Sequence, residues 1–177
     1  MANPYSTGAD AQPTRFRTRV LRTLRFLNDA GRAGLDRLQW PSQYGLLQCA
    51  VRPGVDEVYE LLGCGAAYVE ATRHSCFTAE AHVRYLRELH AGDPVRVTLQ
   101  LLDFDAKRLH YFEQLFHVED GFLSATSENM ALHVDMAARK TAAFPDSILN
   151  GLARMKAAHA GLARPLGAGR RIAMRGD

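Results

Sequence analysis

The chain has one tryptophan, three cysteines and no apolar run near the ~20 residues that a bilayer-crossing helix needs. The last absence argues against a helical membrane protein. Cys49, Cys64 and Cys76 are odd in number and lack CxxC or Cys/His spacing, so neither a disulfide framework nor a zinc site is expected, and no metal or cofactor is implied. The opening residues, MANPYSTGADAQPTRFRTR, carry charge without the apolar stretch of a secretory leader, and the expected location is cytoplasmic. What is present is 177 residues, 47% hydrophobic and 23% charged, which suits one domain with a core of its own.

The net charge of +3 is unevenly spread. Residues 1–54 hold eight arginines against three aspartates, residues 55–145 eight basic against fourteen acidic side chains, and residues 146–177 six against two. A basic arm on an acidic domain raises nucleic-acid binding, but the arginines lie among Gly and Pro without the spacing of a recognition helix. No nucleic-acid partner is expected.

From Ser75 the hydrophobic period is two. In SCFTAEAHVRYL, Phe77, Ala79, Ala81, Val83 and Tyr85 fall on one face of a predicted strand and Thr78, Glu80, His82 and Arg84 on the other. HAGDP (90–94) reads as a turn, Val95, Val97, Leu99 and Leu101 as a second strand, DFDAK (103–107) as another turn, RLHYFEQLFHV (108–118) as a third strand, and Glu119-Asp120-Gly121 as a hairpin before a fourth, FLSATSENMALHVD. The four are expected to meander antiparallel, with Met130, Leu132 and Val134 in the core. VDEVYELLG (55–63) carries a helical apolar stripe that stops at Gly63, and DSILNGLARMKAAHAGL reads as an amphipathic helix capped by Asp146 and Ser147. This is the outline of an α+β domain, a sheet wrapped around a central helix with a C-terminal helix behind it. A sheet of that kind leaves an edge to cover, so a homodimer or homotetramer is expected.

The residues from 64 to 145, and above all FTAEAHVRYLRELHAGDPVRV, LLDFDAKRLHYF and ALHVDMAARKTAAFP, resemble the hot-dog thioesterase superfamily of the 4-hydroxybenzoyl-CoA thioesterase type. Within it the likeness is to the betainyl-CoA thioesterases of carnitine breakdown. That resemblance implies hydrolysis of a short acyl-CoA, betainyl-CoA among the candidates, to the free acid and CoA. It also implies an opening motif, Trp-(Val/Ile)-Asp-Tyr-Asn-Gly-His-(Met/Leu), ahead of the central helix, whose Asp is the base or nucleophile and whose Gly-His turn supplies oxyanion donors at a helix start.

The printed chain lacks the motif. Asp36 stands at about the right distance from the helix, but Arg37, Leu38 and Gln39 offer neither the tight turn nor the imidazole. Codons consistent with the stretch GLDRLQWPSQ can nevertheless encode it out of frame. Leu35 to Ser42 can be spelled CTG GAT CGA CTA CAA TGG CCA TCT; one nucleotide on, the same letters read Trp-Ile-Asp-Tyr-Asn-Gly-His-Leu. We therefore expect residues 21–54 to be an aberrant, frame-shifted segment, with 1–20 a disordered or first-strand arm, 55–160 the hot-dog domain and 161–177 a disordered basic tail. A genuine divergent insertion is the other reading.

With the motif lost, Glu80 and Glu128 are the candidate catalytic carboxylates, Glu80 on one face with His82 and Arg84, and Glu128 on the side of Thr126, aimed at the acyl pocket. Tyr68, Phe77, His82, Tyr85 and Phe112 are candidates for the acyl group, since aromatic faces suit a cationic one. Lys107, Arg108 and His110 suit the CoA phosphates by charge. His117 and His133 have no Ser or Cys elbow and give no triad. The competing class is a non-catalytic acyl-CoA-binding or sensing hot-dog protein whose basic arm meets DNA or a partner.

Overall fold

The computed structural model describes residues 21–25, in backbone only, and residues 54–90 and 93–174. In chain order these form β1 (Leu21–Arg25), helix α1 (54–62), α2 (Ala66–Thr72), β2 (His74–Tyr85), β3 (Pro94–Phe104), β4 (Arg108–His117), β5 (Leu123–Asp135), β6 (Lys140–Thr141) and α3 (Asp146–His159). The expected α+β architecture is present. The strands build one antiparallel sheet in the order β1-β3-β4-β5-β2, with β6 paired to β5.

Two expectations about this sheet are corrected. β2 does not lie beside β3, its neighbour in sequence. The β3 edge is occupied by β1, and β2 pairs with β5 at the far side. The second correction is a β-bulge between Thr78 and Glu80. An extra residue moves everything before it to the other face. Cys76 and Thr78 therefore share the helix side with Ala81, Val83 and Tyr85, while Phe77 joins Glu80, His82 and Arg84 outside.

Turn chemistry fixes the register elsewhere. The Asp105 carboxylate accepts from the N–H groups of Lys107 and Arg108, both at 2.8 Å, closing the β3–β4 turn. Gly121, at φ 69°, donates its N–H to His117 and closes the β4–β5 turn. The end of α1 is the predicted Gly63 cap. Gly63 sits at φ 81° and donates to the Glu60 carbonyl, while Cys64 donates to that of Tyr59, the paired bonds of a Schellman motif. That turn leads straight into α2, a helix absent from the sequence expectations, whose first N–H, on Ala66, is taken by the Glu60 carboxylate at 2.7 Å.

The main core lies where α1 and α3 meet the sheet. Val58 and Leu62 of α1 pack with Leu99, Leu101, Leu109, Tyr111 and Ala131 of the strands and with Ile148, Leu152 and Met155 of α3. Burying a side chain of this size contributes ~1.5–3 kcal/mol, which makes this cluster the largest favourable term near the site. α3 runs on the predicted apolar face, but its N-cap is Pro145 and no side chain caps it; Asp146 sits in the first turn, where a negative charge favours the helix dipole. Met130, Leu132 and Val134 are half-buried on the outer face rather than central, because strand alternation gives the helix side of β5 to Ala125, Ser127, Asn129, Ala131 and His133.

The tail is a further correction. Beyond α3 it is described to Met174 and laid across the outer face, where the Ala163 carbonyl accepts from Gln100 and the Gly169 N–H donates to Glu128 at 2.7 Å. β1 also falls inside the segment expected to be aberrant from residue 21, and the sheet pairs with it as far as Arg25, with a register shift between Leu21 and Thr23. The rest of that segment, 26–53, and the arm 1–20 lie outside the described residues.

Candidate functional site

On the helix side of the sheet β4 presents Leu109, Tyr111, Glu113 and Leu115, and register places Tyr111 beside Asn129 and Glu113 beside Ser127. The alternation that buries the leucines buries an acid with them. Glu113 is 1% exposed. Asn129 donates from Nδ2 to Glu113 Oε2 at 3.0 Å, while the Ser127 hydroxyl donates to Asn129 Oδ1 at 3.0 Å. The other oxygen, Glu113 Oε1, is buried and has no hydrogen-bond partner among the described residues. Burial drives the Glu113 carboxyl well above the usual carboxylate range, and the Asn129 donor offsets only part of that.

Glu113, Asn129 and Ser127 form the floor of a cavity of about 570 Å³, within the size of ordinary small-molecule pockets. Val55, Asp56 and Tyr59 of α1 line another side, and Cys64, Cys76 and Thr78 a third. Burial pushes the hydroxyls of Tyr59 and Tyr111 up, so both remain protonated. Cys76 is raised by its hydrogen bond to Cys64 and then by burial; it is a thiol here, not a thiolate nucleophile.

None of the ten residues singled out from the sequence lines this cavity. Glu80 and His82 lie on the outer face, opposite Ala81 and Val83 as their alternation predicts, and the bulge turns Phe77 out beside them; Phe77 is 50% exposed. Glu128 also points outward. It accepts from His110 Nε2 at 2.8 Å and from the Gly169 N–H, so it ties the tail to the sheet instead of entering the acyl pocket. Phe112 is buried on that same outer face, between Gln100 and Glu128 in register. Tyr85 is on the helix side but 41% exposed at the end of an edge strand. Tyr68 donates its hydroxyl hydrogen to His133 Nε2 at 2.9 Å, the ring's Nδ1–H going to the Ala142 carbonyl. Arg108 is engaged by Asp105 in the exposed turn beside Lys107. The three expected CoA-binding residues are thus together at the start of β4, two of them already paired.

The residues missed were Glu113, Asn129 and Ser127. Their signal was available in the strand period: every second residue from Leu109 to Leu115 is apolar except Glu113, and a charge on the buried face of a strand points to a site.

A cavity under the helix of a helix-wrapped antiparallel sheet can be compared with known proteins. Residues 45–152 match the model of the thioesterase-like superfamily. The chain belongs to this superfamily. Its hot-dog fold is shared by a Staphylococcus aureus protein solved in complex with CoA, at TM-score 0.68 and 26% identity, covering 94% of this chain and all of that one. A betainyl-CoA thioesterase of Pseudomonas aeruginosa is 35% identical over 119 residues, 67% of this chain and 75% of its own. An L-carnitine dehydrogenase/betainyl-CoA thioesterase of Rhizobium meliloti is 40% identical over 117 residues, 66% of this chain. The matched part spans 23% of that fused relative's length. The superfamily match begins at residue 45, beyond the stretch Leu35–Ser42.

Proposed function

We propose that the chain is an acyl-CoA thioester hydrolase that seats a short acyl group in the cavity beneath α1 and releases the free acid and CoA. The observation that carries this reading is the polar-floored cavity between helix and sheet in a superfamily member whose relatives are named thioesterases. Those names favour hydrolysis over the sensing alternative. The acyl group inferred from them is betainyl, the location cytoplasmic. β2 offers a twelve-residue edge with Phe77 and Tyr85 exposed, which supports a second copy of the chain pairing there to make a homodimer.

In the reaction water adds to the thioester carbonyl, the carbonyl oxygen carries the developing negative charge, and the C–S bond breaks to leave CoA thiolate, which takes up a proton. The sheet floor and α1 position the acyl group; the activating acid and the oxyanion donors belong to the stretch ahead of α1. With Asp36-Arg37-Leu38 printed where the motif belongs, each missing element lowers the rate by ~10²–10⁴. The test is CoA release from a panel of short acyl-CoA thioesters, followed with a thiol reagent. Slow turnover of betainyl-CoA above the uncatalysed background is expected. Absence of turnover both in the printed chain and in a chain carrying the restored motif would overturn the proposal.

A further inference from the structure

We propose that Cys64 and Cys76 are a modification site, a thiol pair on the wall of the cavity that a low-molecular-weight disulfide oxidises reversibly to a disulfide bond. The inference goes beyond the thioesterase reading, and the bond itself does not depend on it.

The fold brings the two cysteines together from different elements. Cys64 follows the Gly63 cap and is 2% exposed in the main core cluster, and Cys76 packs against that cluster from β2. Cys76 faces this side because the bulge between Thr78 and Glu80 turns it inward. Both line the same cavity wall, and their thiols are hydrogen-bonded to each other. The short connection between them holds α2, none of whose residues is buried, so this junction can shift while the core face of α1 and the β2 ladder stay in place.

Accessibility sets the order of events: Cys76 is half-buried and Cys64 buried. Cys76, as its thiolate, attacks one sulfur of the small disulfide, releases the first small thiol and is left in a mixed disulfide. Cys64 then attacks the Cys76 sulfur and releases the second. Two protein thiols are oxidised, the small disulfide is reduced to two thiols, and the protons lost by the cysteines end on those thiols. The hydrogen bond to Cys64, and then burial, raise the Cys76 thiol, so little thiolate is present and exchange at neutral pH is slow. The same burial penalises the charged thiolate and not the neutral disulfide, which favours the bond once it has closed. Closure brings the sulfurs to about 2.05 Å and draws the side of the cavity formed by Gly65 and Val69 toward Ser75 and Thr78.

The test is incubation of the full, folded chain with oxidised glutathione, followed by thiol counting and peptide mapping. The expected result is the loss of two thiols, a mass lower by two hydrogens and a linked Cys64–Cys76 peptide, all reversed by dithiothreitol. Cys49→Ser should oxidise as the wild type does, and Cys64→Ser should stop with glutathione held on Cys76. Three thiols left intact, a stable mixed disulfide in the wild type, or a bond made to Cys49 overturns the proposal. Should Cys64→Ser fail to fold, the wild-type map still decides. The oxidised chain is further expected to bind betainyl-CoA roughly tenfold more weakly, since a pocket that changes by about a methylene discriminates at least that much. Equal affinities in the two forms overturn the placement of the bond on the cavity wall. Binding in neither form refutes the thioesterase reading and leaves the thiol pair standing on its linked peptide.

Discussion

Asn129 donates one amide hydrogen to Glu113 Oε2 at 3.0 Å, and its amide is fixed in that sense because Oδ1 accepts the Ser127 hydroxyl at 3.0 Å. The order Ser127, Asn129, Glu113 is therefore a directed chain that ends on a carboxyl group with one oxygen unserved among the described residues. Asn129→Asp replaces the donor with a second acceptor. It is expected to destabilise the fold by ~1–3 kcal/mol, and by more at pH 8 than at pH 5, because two carboxylates at hydrogen-bond distance cannot both ionise. Urea unfolding at the two pH values checks this. Unchanged midpoints at both would mean that the bond contributes nothing.

Glu113 itself ties stability to pH. Burial raises its folded pKa above the value of the unfolded chain. Below the unfolded pKa of ~4.3 both states hold the proton and the group adds no slope. As pH rises from there toward the raised folded value, the unfolded chain ionises first, so stability falls. Glu113→Gln removes that slope and should become progressively more stable than wild type between pH 4 and 7. A difference that stays constant across this range would show that the carboxyl is not perturbed.

His133 acts in the opposite sense. Burial lowers its pKa, and its neutral ring is fixed by the Tyr68 hydroxyl on Nε2 and the Ala142 carbonyl on Nδ1–H. Its contribution is present above the unfolded value of ~6.5 and is lost as pH falls through the lower folded value. Tyr68→Phe should cost ~0.5–1.5 kcal/mol at pH 8, where the acceptor is available. An NMR titration placing the His133 midpoint at or above the ordinary histidine value would contradict the account.

The sequence made the strands legible because their periods are clean: Val95, Val97, Leu99 and Leu101 are the buried side of β3, and Gly63 is the helix cap. It concealed the site for a local reason. An extra residue at Ala79 is invisible to a period-two count, and it turned Phe77 to the outer face and brought Cys76 and Thr78 to the cavity. The strand order was hidden too, since only the occupation of the β3 edge by β1 sends β2 to the far side. Glu113 was passed over because its neighbours are apolar, although that contrast is what gives a buried acid its function.

The tail crosses the outer face at two anchors, Gln100 on β3 and Glu128 on β5, and Phe112 lies between them in register. Gly167, at φ 95°, is held so close to Arg84 that an added Cβ would stand 2.5 Å from its Nη1. Gly167→Val is therefore expected to lift the tail and to act like truncation after Leu162, each lowering stability by ~1–3 kcal/mol as Phe112 loses cover. Thermal unfolding of the two variants checks this, and a truncated chain as stable as the whole would sink it.

The final prediction concerns the stretch ahead of α1. If Leu35–Ser42 is the shifted spelling of Trp-Ile-Asp-Tyr-Asn-Gly-His-Leu, the gene must use CGA or AGA for Arg37 and CTA or TTA for Leu38, because only codons ending in GA and TA place Asp and Tyr in the hidden frame. Sequencing that codon pair is a test in itself; CGC or CTG there ends the hypothesis. Replacing the eight residues by the hidden octet should then raise CoA release by ~10² or more, since it returns a carboxylate and backbone donors to a site whose acyl cavity is already formed. The gain should appear in kcat rather than in the affinity for the thioester, because the sheet floor that holds the acyl group is unchanged while the groups that meet the transition state are new.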